Sequence, residues 1–166
     1  MATYFEYGLN GVSAVTTALP QEITLGYKVQ DGGVEYVVAY NACTSTIPQG
    51  SLCAASMTEG VSPYSVTLST TTEVASAPLV VGVCVHTAVA AGSYFWMATA
   101  GFPVVMIASN ISLYTGAMVG PAADGVVITT DTVANVVGIN VGDTTTATVA
   151  TDSLGGRFFF KAAGVT

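Results

Sequence analysis

Ile23-Thr24-Leu25-Gly26-Tyr27-Lys28-Val29-Gln30 runs into Asp31-Gly32-Gly33 and then into Val34-Glu35-Tyr36-Val37-Val38-Ala39-Tyr40. Apolar residues take every second position of the first run (Ile23, Leu25, Tyr27, Val29) and recur at Val34, Tyr36, Val38 and Tyr40, the period of strands with one face buried. Asp and Gly tolerate the positive φ that tight hairpin turns require, so Asp-Gly-Gly between two such runs predicts a β-hairpin.

The pattern continues outward. Tyr64, Val66 and Leu68 alternate with Ser65, Thr67 and Ser69. Further strands are predicted at 79–87, 92–99, 102–108, 113–119, 126–130, 135–141, 145–150 and 155–161, with Gly, Asn or Asp punctuating the gaps. No stretch of ten residues carries a helical period free of Gly or Pro, and a short helix has room only at 12–19 or 109–114. These spacings predict an all-β protein: a small β-barrel, β-tulip-like fold or sandwich of many short strands, with an N-terminal extended arm. The arm is 1–20, which carries Tyr4, Phe5 and Tyr7 and closes at Pro20; the β-domain is 21–166.

A faint internal echo is present. Val80-Val81-Gly82-Val83 and Val136-Val137-Gly138-Ile139 lie 56 positions apart, each ahead of an aromatic string, Tyr94-Phe95-Trp96 and Phe158-Phe159-Phe160. I-P-Q-G-S-L at 47–52 is likewise similar to L-Y-T-G-A-M at 113–118. Either a β unit occurs twice, with a boundary near 72–78, or short valine-rich strings match by chance.

Charge is scarce. Positions 74–123 hold no Asp, Glu, Lys or Arg, and charged residues make up 8% of the 166, against about 25% in ordinary globular domains. A surface so poor in charge predicts extensive cover by other chains. Only Lys28, Arg157 and Lys161 are basic and the net charge is −7, too few cations to neutralise a phosphate backbone or to favour an anionic membrane. The longest apolar run, 95–108, is short for a span and holds Gly101 and Pro103. The start lacks the basic and apolar regions of a signal peptide, so synthesis and use in a cytoplasm, or release by lysis, is expected.

Catalytic chemistry has little to work with. His86 is the single histidine and shares a strand face with Cys84; metal sites take three or four ligands, and a Cys–His pair normally meets across a cleft. Cys43, Cys53 and Cys84 form no C-x-x-C and read as small buried hydrophobes. There is no G-x-S-x-G, no phosphate loop and no paired acidic motif. Asn110-Ile111-Ser112 matches a glycosylation sequon with no secretory signal ahead of it. The expectation is a non-enzyme without cofactor or metal. The aromatic strands carry rings on both faces, with Arg157 and Lys161 flanking Phe159, so one face reads as a contact zone. Tyr4, Phe5, Tyr7, Trp96 and Phe159 are the candidate interface residues.

Val81-Gly82-Val83-Cys84-Val85, Ala90-Ala91-Gly92-Ser93-Tyr94-Phe95-Trp96, Gly101-Phe102-Pro103-Val104, Leu113-Tyr114-Thr115-Gly116-Ala117-Met118 and the upstream Glu35–Asn41 and Ile47–Leu52 segments resemble a pattern in head decoration, or capsid-cementing, proteins of tailed bacteriophages. The likeness covers roughly 25–161. It implies a β-tulip or β-barrel fold and a virion protein on the outer capsid surface. Its expected partners are the major capsid protein and further copies of itself, in a homotrimer, with neither nucleic acid nor membrane. Two other expectations stand beside it: a tail or minor head protein, and a ligand-binding β-barrel or small hydrolase.

Overall fold

The computed structural model describes residues 15–55, 60–69, 80–108, 112–122, 125–129, 138–140, 145–146 and 153–161. The first part comprises β1 (Val15–Thr16), β2 (Lys28–Asp31), β3 (Val34–Asn41), β4 (Ile47–Pro48), β5 (Leu52–Ala55), β6 (Ser65–Leu68), β7 (Val80–Cys84), β8 (Ala88–Val89) and β9 (Tyr94–Gly101). The second comprises β10 (Val104–Ile107), β11 (Ser112–Leu113), β12 (Met118–Pro121), β13 (Val127–Thr129), β14 (Gly138–Asn140), β15 (Thr145–Thr146) and β16 (Ser153–Lys161). No α-helix occurs among the described residues, and the protein is predominantly β. Of the two places with room for a helix, the first contains β1 and the second contains β11; 12–14 and 109–111 lie outside the described residues.

The predicted hairpin forms between β2 and β3, from Lys28↔Val37 to Asp31↔Val34. Its turn is Gly32-Gly33, with φ of 56° and 82°, the two successive positive values that a two-residue type I′ turn demands. The alternation at 23–27 does something different. Gly26 takes a φ of 84°, and the Ile23 and Tyr27 N–H groups donate to Pro20 and Thr24 carbonyls in local turns. The segment becomes a strap instead of a strand. Leu19, Ile23, Leu25, Tyr27 and Val29 lie against Tyr36, Val38, Trp96 and Ala98 on the outer side of β3 and β9.

The pairings of the first part return on themselves. β3 pairs β9, β9 pairs β7, β7 pairs β5 and β5 pairs β6, all antiparallel; β6 then pairs β3 in parallel and closes the circuit. Val37, Ala39, Cys53, Val66, Val81, Cys84, Phe95 and Met97, drawn from all five strands, form one buried cluster, joined by Ile47 and Val89 of the β4–β8 pair.

The same diagram is then drawn again. β10 pairs β16, β16 pairs β14, β14 pairs β12 and β12 pairs β13, all antiparallel; β13 returns to β10 in parallel. β11–β15 stands where β4–β8 stood. Even the register repeats: Leu52↔Val83 and Cys53↔Gly82 in the first circuit match Met118↔Ile139 and Val119↔Gly138 in the second. Ala55↔Val66 matches Pro121↔Val127, and Ile47↔Val89 matches Leu113↔Thr145. Inward positions correspond too, since Val105, Ile107 and Val119 of the second circuit are buried as Ala39, Asn41 and Cys53 are in the first.

The circuits join into one twelve-stranded mixed sheet. The chain passes between them at Phe102-Pro103, and β16 pairs the end of β9 at Phe160↔Gly101 and Lys161↔Ala100. Met106 N–H donates to the Gly50 carbonyl at 2.8 Å, and Gly125 N–H to that of Ser69 at 3.0 Å.

Three sequence expectations need correction. A boundary near 72–78 would cut the first circuit, because β6 and β7 on either side of it both belong there; the passage between circuits is at Phe102-Pro103. Residues 15–19 do not stand off as an arm, because Val15 and Thr16 pair with Phe95 and Tyr94 of the chain's own β9 and Leu19 packs on its own core; 1–14 lie outside the described residues. The aromatic strings are not counterparts. The partner of Val83 in β9 is Ala98, while the partner of Ile139 in β16 is Phe159, so register equates Ala98 with Phe159.

Candidate interaction surface

The residues with the most chemical potential are built into the first circuit. His86 is 6% exposed; its Nε2 accepts the Trp96 N–H at 3.2 Å, and its ring meets that of Phe95 edge-on. Burial pushes its pKa down to about 4, which leaves a neutral imidazole near pH 7. Cys84 Sγ donates to the His86 carbonyl at 3.6 Å and Cys53 Sγ to that of Ser51 at 3.8 Å. Burial raises the Cys84 thiol to about 12 and the Cys53 thiol well above its ordinary value, so neither supplies a thiolate nucleophile. All three cysteines are free thiols. Among the described residues no three His, Cys, Asp or Glu side chains gather as a metal site would require.

Asn41 is the polar group that sequence reasoning missed. Fully buried, it donates through Nδ2 to the carbonyls of Ser45 at 3.0 Å and Val89 at 2.8 Å, and its Oδ1 accepts the Cys43 N–H at 2.8 Å. It pins the loop after β3 to β8. That role is structural, and the strand-end position of a lone Asn in an apolar run is the signal that could have found it.

Of the candidate interface residues, Tyr4, Phe5 and Tyr7 lie outside the described residues. Trp96 is a correction: it has no exposed surface, and Tyr27 of the strap meets its ring edge-on with centroids 6.4 Å apart. Its strand has rings on both faces because both faces are covered within the chain, one by the circuit's interior and one by the strap. Phe159 is different. It pairs with Ile139, which pairs in turn with Met118, and two positions along β16 Arg157 pairs with Val104. Cross-strand partners share a sheet face, so Met118, Ile139, Phe159, Arg157 and Val104 occupy positions on one face, opposite buried Val105 and Val119.

The described apolar residues at or beside that face are exposed. Phe102 is 52% exposed, Val104 45%, Ile139 41% and Met118 36%. The register counterparts of Val104, Ile139 and Met118 in the first circuit, Val38, Val83 and Leu52, are all buried. At the register-matched positions the outer face is buried in the first circuit and exposed in the second.

Compared with family models, curated proteins and solved structures, the chain matches none.

Proposed function

We propose that this chain is a structural virion protein that decorates and stabilises the outer surface of a tailed-phage capsid, binding the major capsid protein as a homo-oligomer, a homotrimer in the form expected. In this reading each closed circuit is a small five-stranded β-barrel, and the two stand in tandem. It is not an enzyme and acts through contact area alone. The observation that carries the reading is the bare apolar face at Phe102, Val104, Met118 and Ile139 on a chain with 8% charged residues. A rigid, charge-poor β body gains free energy by covering such a face, at roughly 25 cal/mol per Å² of apolar surface removed from water. The resemblance to capsid-cementing proteins supplies the setting, and its Gly101-Phe102-Pro103-Val104 and Leu113–Met118 strings contain three of the four face residues. The buried, neutral state of His86 and the raised thiols of Cys53 and Cys84 support a role without catalysis.

Imaging native particles with and without this chain tests the reading. Added density on the outer shell, over contacts between capsid subunits, is the expected result. Density confined to the tail, or none on the particle, would exclude the decorating role.

A further inference from the structure

We infer that the junction between the two circuits is a lock and not a hinge: Ser69 and Gly125 clamp the circuits into one body that opens only as a whole. No capsid enters into this contact, which stands whether or not the chain decorates one.

The chain passes from β9 to β10 through Phe102-Pro103, a connection that on its own would leave a pivot. Units joined in this way move against each other unless the contact between them holds. Ser69, fully buried just past β6, supplies that hold. Its N–H donates to the Leu52 carbonyl at 3.2 Å inside the first circuit, while its carbonyl accepts the Gly125 N–H of the second at 3.0 Å. Its Oγ donates to the Ala122 carbonyl at 3.1 Å. Met106 N–H also crosses, to the Gly50 carbonyl at 2.8 Å. Gly50, Ser51, Ser69 and Gly125 are all buried.

These crossings fall where the two circuits differ. Register equates Met106 with Tyr40 and Gly125 with Tyr64. Tyr40 N–H stays in its own circuit, on the Tyr64 carbonyl at 2.9 Å, whereas Met106 N–H leaves its circuit for Gly50. Where the first circuit carries the Tyr64 ring, the second has a glycine with a φ of 76°. A Cβ on Gly125 would stand 2.9 Å from Leu68 Cδ2, 3.0 Å from Ser51 Cβ and 3.1 Å from the Leu52 carbonyl oxygen, all atoms of the first circuit. Glycine lets the backbones approach this closely and takes the left-handed φ without strain. Parting the circuits would break backbone bonds that lie in a tight, buried contact, so the junction resists opening while either circuit stays folded.

Native-state hydrogen exchange of the purified full-length chain in rising urea, read by mass spectrometry, tests the lock. In the wild type the slowest amides of β3 and β9, and those of β10 and β12, are expected to merge into one opening with one urea dependence. A second circuit that opens alone at lower urea would overturn the inference. Tyr27→Ala strips the strap and touches none of these contacts; it should speed the slowest exchange of both circuits by the same factor, on the order of 30-fold. Acceleration confined to the first circuit would also overturn it. Ser69→Ala removes only the Oγ bond and should let the second circuit exchange about fivefold faster than the first. Gly125→Ala should widen that gap. A folded Ser69→Ala chain whose circuits still open together would contradict the clamp, even if Gly125→Ala fails to fold.

Discussion

His86 ties the fold of the first circuit to pH. In the folded chain burial lowers its pKa from 6.5 to about 4, so between those values the unfolded chain binds a proton that the fold excludes. Stability from this group is complete above pH 6.5 and is lost as pH falls toward 4, by on the order of 3 kcal/mol. Glu35 adds to the loss at still lower pH, because the Thr99 hydroxyl bond at 2.7 Å holds its carboxyl below the ordinary value. Urea unfolding at a series of pH values should show this slope, and His86→Gln should flatten it between pH 6.5 and 4. Gly82 makes a second prediction. A Cβ there would meet Met97 and the Ala98 carbonyl oxygen at 2.7 Å, so Gly82→Ala overpacks the interior and should cost about 1–3 kcal/mol in a urea titration. The Gly in V-V-G-V is required by close packing, which a sequence string alone does not distinguish from a turn.

At the scale of elements, the two outer faces respond differently to the same kind of change. Tyr27→Ala strips the strap from Trp96 and should destabilise the chain by about 2 kcal/mol. Val104→Ala on the bare face should stay within about 0.5 kcal/mol in the isolated chain. Thermal melts of the two variants side by side check the contrast, and equal losses would show that the second face is not bare. The elements legible in the sequence were those marked by a turn signal or by polar alternation, even where, as in β3, both faces are buried. The β2–β3 hairpin announced itself through Asp31-Gly32-Gly33, and β6 through its alternation of Val66 and Leu68 with small polar residues. β5 escaped notice because Leu52-Cys53-Ala54-Ala55 is a short run of apolar residues with neither polar alternation nor a turn signal of the Asp-Gly-Gly kind beside it. The strap imitated a strand because its apolar residues also point one way, onto Trp96, while Gly26 bends its backbone out of any ladder.

Across the whole molecule, the repeat was legible only in fragments. Gly50 and Gly116 both take positive φ, 81° and 86°, at matching points of I-P-Q-G-S-L and L-Y-T-G-A-M, and Gly82 and Gly138 hold matching register. Loops of unequal length shift the spacing of counterparts from strand to strand, so no single period runs through the chain. Met118, Ile139 and Val104 come together only through register, which no local stretch of sequence reveals. The account stands most directly on whether the purified chain binds capsids. Co-sedimentation with expanded, undecorated heads of the parent phage should bring it down at saturable stoichiometry, with Val104→Glu and Ile139→Glu together lowering the bound amount. A wild-type chain left wholly in the supernatant as a soluble monomer would contradict the account.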